Sequence, residues 1–333
     1  MTDRSRSAAA WWKRKDNMED WSRFLIVFAD ILVPLFLGKT LRAQGIAREW
    51  MRFLIRANVV GALSGLSLIS FWSLQVSAEL LWLPLSILPI CFFPIPLFYL
   101  LEKRRFSDPR DQGSYFLAMI LGNIGTLAGL CAYTLFGETG FAYIQLIAVP
   151  QVLVIVLFCF PAAQRFYDRW ASSGAEQHAR LRLQDMLLTW NQLPAACVAA
   201  GLLLGASGVH RPEGVSAVFT VLIHASAWLG MIPVGYDLDM EGVRKYARTL
   251  WPLFPVKFLY LPVCIGAMTR CVTGDPVILW CAVLAAAAPT AIFAVAASQL
   301  YRLNVDIAES AFLTTTAVFL FLVYPLICYF ART

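Results

Sequence analysis

The sequence predicts an all-α polytopic membrane protein: ten transmembrane helices as an inverted 5+5 repeat, with the fourth and ninth helices broken and crossing. Three observations predict it. Of 333 residues, 59% are hydrophobic and 14% charged, with a mean hydropathy of +0.66, where a soluble domain has roughly 45–50% apolar and about 25% charged residues. The charges gather in short clusters between apolar stretches of about twenty residues, the length of helix that crosses a hydrocarbon core. The longest connection, 163–185, divides those stretches five and five, so each half has an odd number of spans and the two enter the membrane from opposite sides.

The spans fall at 24–41, 53–74, 80–101, 114–136 and 141–162, then at 186–208, 214–236, 250–270, 276–298 and 307–330. A tail, 1–23, precedes the first half at 24–162; the cytoplasmic connection 163–185 leads to the second half at 186–330. Asp30 and Lys39 interrupt the first span. Seventeen Lys and Arg residues lie in the odd-numbered loops, against only Arg211 and Arg270 in the alternate ones. The positive-inside rule then puts the odd loops in the cytoplasm and both termini outside, in the plasma membrane, or the inner membrane of a bacterium. The tail runs against this with Arg4, Arg6, Lys13, Arg14, Lys15 and Arg23. Either it is translocated against its charge, or the chain starts biologically at Met18.

Composition also excludes function classes. The net charge of +6 resides in short loops, where basic residues set orientation and do not bind phosphates, so the partner is the lipid bilayer and not nucleic acid. The eight cysteines fall in or beside apolar spans without paired spacing, which reads as buried small side chains, not as a disulfide framework or a metal site. No zinc-protease, nucleophile-elbow or phosphate-loop motif occurs. A non-enzymatic protein without a cofactor is expected.

The polar chemistry inside the membrane concentrates at two places. The fourth span reads Gly122-Asn123-Ile124-Gly125-Thr126-Leu127-Ala128-Gly129; glycine costs about 1 kcal/mol relative to alanine in a helix interior. The ninth reads Ala287-Ala288-Pro289-Thr290-Ala291, and proline removes an amide donor and clashes with the preceding turn. At a displacement of 164 residues Gly125-Thr126 falls on Pro289-Thr290, and Pro161 on Pro325. Two breaks meeting at mid-membrane would expose half-helix amides that favour an anion without any full positive charge. The candidate substrate-binding residues are therefore Gly122, Asn123, Gly125, Thr126, Ala288, Pro289 and Thr290. The competing reading makes Gly125 and Gly129 a small-xxx-small packing seam and Pro289 a plain kink.

Gly61-xxx-Gly65 and Gly201-xxx-Gly205 read as packing seams. Among intramembrane ionisable residues, Asp30 and His224 are candidates for coupling or gating. Asp30 has the alternative of pairing with Arg23 or a headgroup, and His224 that of a neutral imidazole bonded to a neighbour. Lys257, near a span end, is expected to snorkel. Gln145, Gln151, Asn191, Gln192 and Thr314-Thr315-Thr316 read as interhelical hydrogen bonders.

These residues resemble the auxin efflux carriers, a family of permeases. The similarity is clearest over 284–330: Ala287-Ala288-Pro289-Thr290, Ser298-Gln299-Leu300-Tyr301, Asp306, Ser310-Ala311 and Thr314-Thr315-Thr316. A second stretch is Gly122-Asn123-Ile124-Gly125 with Phe136-Gly137-Glu138-Thr139-Gly140, and a third Ile31-Leu32-Val33-Pro34 to Gly38 with Leu41-Arg42. About a third of the chain is covered, and the family's later proline in the fourth span is Leu130 here. The resemblance implies the fold shared with bile acid sodium symporters, with spans one, two, six and seven as scaffold and the other six as a transport domain. It also implies small organic anions as substrates, and leaves room for a homodimer through the scaffold helices. A secondary carrier of a small organic anion, such as a carboxylate, working by alternating access, is the function expected. The alternatives are a sodium-coupled symporter of the bile acid type and, from another class, a membrane-embedded enzyme or non-transporting structural subunit.

Overall fold

The computed structural model describes residues 17–102, 105–171, 193–237 and 245–331. Asn191, Gln192, residues 1–16 and most of the connection after Ala171 lie outside the described residues, as does the Arg23 side chain. Every regular element is helical: α1 Asn17–Ala43, α2 Arg48–Trp72, α3 Ala78–Leu101, α4 Pro109–Ile120, α5 Ile124–Ala171, α6 Leu193–Ala206, α7 Val215–Asp237, α8 Leu253–Val272, α9 Pro276–Ala286, α10 Ile292–Leu300 and α11 Val305–Phe330.

The expectation of ten membrane-crossing helices is corrected here. Among the described residues six helices are long and apolar enough to cross: α2, α3, α5, α7, α8 and α11. The reason is physical. The fourth and ninth apolar stretches are each split into shorter helices by non-helical backbone, α9 is apolar but short, the described part of α6 covers only Leu193–Ala206, and Asp30, Lys39 and Arg42 interrupt the apolar run of α1. The inverted 5+5 description falls with the count. Helix α5 runs on to Ala171, into the first residues of the 163–185 connection.

Large apolar side chains such as Phe36, Leu100, Leu203, Val221, Leu259 and Phe321 are exposed on the outside of this helical body, as lipid contact requires. The chain is a polytopic, all-α integral membrane protein. Helix α7 packs along α1, and α6 along the second part of α2; α3, α4, α5, α8, α9, α10 and α11 pack mainly on one another.

Helix α5 is two arms. Gly137 (φ 66°, ψ −153°) is its non-helical residue, a conformation open to glycine but strained for any side chain. There the chain doubles back, so that Gly125 lies against Gln145 and Ala148, and Gly129 against Phe141. Arg211, in the loop between α6 and α7, holds the turn by a two-pronged ion pair to Glu138 (2.5 and 2.9 Å) and also donates to Ser216 and Ser73. Wider π-helical turns interrupt several helices, at Asn58–Leu63, Ile124–Ala128, Ile155–Cys159, Val256–Tyr260 and Phe319–Val323 among others, a deviation often found at functional sites.

Candidate functional site

Helix α4 ends at Ile120 because Leu121 turns to extended backbone (φ −95°, ψ 121°), and Asn123 (φ −77°, ψ 65°) is also non-helical. Helix α9 ends at Ala286, and α10 starts only after Ala291, which is extended as well. The two interruptions meet as an antiparallel bridge between Gly122 and Thr290. Asn123 N donates to Pro289 O (2.7 Å) and Ala291 N to Leu121 O (3.0 Å). Small residues permit this approach: a Cβ on Gly122 would already lie 3.3 Å from Ala288 Cβ. The Pro289 ring cannot donate, but its carbonyl accepts, so the proline ends a helix without orphaning a buried group.

The rest of the junction is braced from outside. Gln151 Nε2 donates to Gly122 O (2.9 Å) and Gln145 Nε2 to Gly125 O (3.0 Å), both from the returning arm of α5. Thr290 is fully buried; its hydroxyl donates to Ala118 O (3.0 Å) and its amide to Thr315 Oγ1 (2.9 Å) on α11. Thr315→Val, near in shape but without an acceptor, therefore orphans the Thr290 amide. A stability loss of about 1–3 kcal/mol is expected, read as a lowered denaturation midpoint of the purified protein; an unchanged midpoint would show that the junction does not depend on this bond.

Backbone freed from the ladder is thus mostly spent within the junction. The amides of Asn123, Thr290 and Ala291 have partners. What stays open is at the two helix starts, since neither Asn123 nor Ala291 caps its helix with a side chain. The side-chain amide of Asn123, 7% exposed, makes no hydrogen bond among the described residues. Gly125 and Thr126 are partly exposed. Of the sequence candidates, Gly122, Asn123, Pro289 and Thr290 come together directly and Ala288 packs on Gly122. Gly125 and Gly129 also form the packing seam of the competing reading, against Ala148 and Phe141.

Across from Thr126 lie groups the sequence reading did not single out. A Cβ on Gly230 of α7 would meet Asn58 Nδ2 at 3.1 Å and Thr126 Cγ2 at 3.7 Å, and Ser226 Oγ donates to Asn58 Oδ1 (2.7 Å). Asn58 carries the signal that marked Asn123, a lone amide in an apolar stretch, but its neighbours Gly61 and Gly65 drew the packing interpretation. Asp30 and His224 form a pair: His224 Nδ1 and Asp30 Oδ2 are 2.5 Å apart, and Trp228 Nε1 donates to Asp30 Oδ1 (2.9 Å). They tie α1 to α7 and are not part of the Gly122–Thr290 bridge.

Lys257 corrects another expectation. It does not snorkel; it is 2% exposed, and its Nζ donates to Leu121 O (3.0 Å) at the junction itself. No family model matches the chain, and no curated protein matches it.

Proposed function

We propose that the protein is a secondary carrier for a small organic anion, a carboxylate in the simplest case, related to the auxin efflux carriers and working by alternating access. The observation that carries this reading is the paired interruption at Gly122 and Thr290 with the unspent Asn123 amide beside it. Non-helical backbone is tolerated in a membrane only where protein buries it or a cavity needs it, and uncapped helix starts with a free side-chain donor suit an anion. The ligand would sit between Asn123 and Thr126 on one side and Asn58 and Ser226 on the other, with α1, α2, α6 and α7 as the static body. Basic residues between Lys39 and Arg56 are placed in the cytoplasm, and the N-terminal tail outside.

The test is thermal denaturation of the purified protein with acetate, benzoate, phenylacetate and succinate, each with sodium or choline as the cation. A ligand present at 100 times its Kd adds about 2.7 kcal/mol to apparent stability, so a clear rise in midpoint is expected with at least one carboxylate. No rise with any carboxylate in either medium refutes the anion reading.

A further inference from the structure

We infer that the outward-facing groove between α3 and α8 seats one acyl chain of an anionic phospholipid, with the phosphate of that lipid at Arg105 beside Trp251. The inference stands apart from the carrier reading and concerns the lipid-facing surface of the molecule.

Two independent observations lead there. The first is the shape and lining of the groove. At one end α3 and α8 are close: the Trp82–Phe92 part of α3 packs on the Leu261–Val272 part of α8, and Trp82 Nε1 donates to Thr269 Oγ1 (2.8 Å). Towards the other end each helix widens into a π-helical turn, Phe98–Glu102 on α3 and Val256–Tyr260 on α8. A groove of about 500 Å³ opens there, walled by Leu97 on α3 and, on α8, by the stripe Pro255, Leu259 and Val263 with Tyr260 and Cys264. Pro255 to Cys264 covers about nine residue rises, roughly 14 Å, against about 15 Å for the hydrocarbon depth of one leaflet. The lining suits an acyl chain better than a partner helix. Helices that associate in a membrane approach through glycine, alanine, serine or threonine, as α1 and α7 do at Gly38 and Gly235. No residue of the groove is of these types, and Leu259 and Val263 are branched and exposed.

The second observation is the charge at the mouth. Four residues before Pro255 comes Trp251, exposed, and the Arg105 guanidinium lies 5.9 Å from the centre of its ring. Tryptophan collects at the headgroup level of a membrane, and an arginine there presents a phosphate with a planar fork of donors. Arg105 closes the basic run Lys103-Arg104-Arg105 directly after α3, and Arg248, exposed, stands three residues before Trp251. Basic clusters beside a membrane span attract anionic lipid, each residue adding roughly fivefold in affinity. An apolar groove one leaflet deep with a cationic mouth at headgroup level matches the two ends of one anionic phospholipid.

The experiment is native mass spectrometry of the full-length protein in detergent, titrated with dioleoylphosphatidylglycerol and with dioleoylphosphatidylcholine, which share their chains and differ in headgroup charge. The wild type is expected to hold one phosphatidylglycerol at least roughly fivefold more tightly than phosphatidylcholine. Arg105→Gln should bring the two affinities within about twofold of each other. Val263→Trp, which projects a larger side chain into the groove from an exposed position, should weaken both lipids by at least about fivefold through lost apolar burial. Equal wild-type affinities would leave only an unselective lipid belt and overturn the inference. An undiminished preference in Arg105→Gln, or undiminished binding in Val263→Trp, overturns it as well, because the lipid then sits elsewhere. A dimer in the same spectra that Val263→Trp dissociates would also overturn it, by assigning the groove to a second copy of the chain.

Discussion

Asn123→Ala is expected to abolish most anion binding while leaving the fold nearly intact. The side chain neither caps the helix that starts at Ile124 nor bonds to any other described residue, so its removal breaks no internal hydrogen bond. What holds the junction at this residue is its backbone, through Asn123 N to Pro289 O and Asn123 O to Ala128 N, and alanine keeps both. A hydrogen bond to a charged group contributes about 1.5–3 kcal/mol, so losing one to a bound carboxylate should raise Kd roughly tenfold to a hundredfold. Uptake into proteoliposomes per folded molecule should fall with it, and the denaturation midpoint should stay close to that of the wild type. A structural amide would give the opposite result, a lower midpoint with transport retained. Wild-type transport in Asn123→Ala would reject the site.

The sequence makes the place of the site legible and its internal wiring much less so. Gly122-Asn123 and Pro289-Thr290 stand out because glycine, proline and an amide are costly inside an apolar helix. A one-dimensional pattern can register that cost. It cannot register which amide meets which carbonyl, so the partners of Thr290 on α4 and α11 and the bracing by Gln151 on Gly122 were reachable only as general hydrogen bonding. Lys257 shows the limit plainly. Its distance along the helix from the span end suggested snorkelling, but the side chain is buried with its Nζ on Leu121 O, a contact between distant helices that has no sequence signature. The count of crossings failed for a related reason. Hydropathy sums over a window, so a stretch whose backbone leaves the helix at Leu121–Asn123 or at Ala287–Ala291 still counts as one crossing helix, even where glycine, asparagine and proline mark the break.

The packing of α1 on α7 provides the second large effect, on stability. A Cβ on Gly38 would lie 2.0 Å from Ile232 O, and one on Gly235 would lie 2.0 Å from Leu35 O; neither backbone can yield as a side-chain tip does. In membranes such close approach of small residues supplies the van der Waals contact that holds helices together, since lipid tails are as apolar as the side chains they compete with. Gly38→Ala and Gly235→Ala should therefore each force the helices apart, at a cost of about 3 kcal/mol or more, the upper end for overpacking. The Asp30–His224 and Trp228 contacts between the same helices would be stretched as well. The two clashes share one remedy: a separation large enough to admit one methyl group also admits the other. The double variant should then cost clearly less than both single costs together, with a coupling of about 0.5–3 kcal/mol, as for residues in direct contact. Reversible unfolding of the four proteins in detergent measures the cycle. Strict additivity would mean that each alanine is accommodated locally, and near-neutral single variants would mean that α1 and α7 do not touch at these glycines.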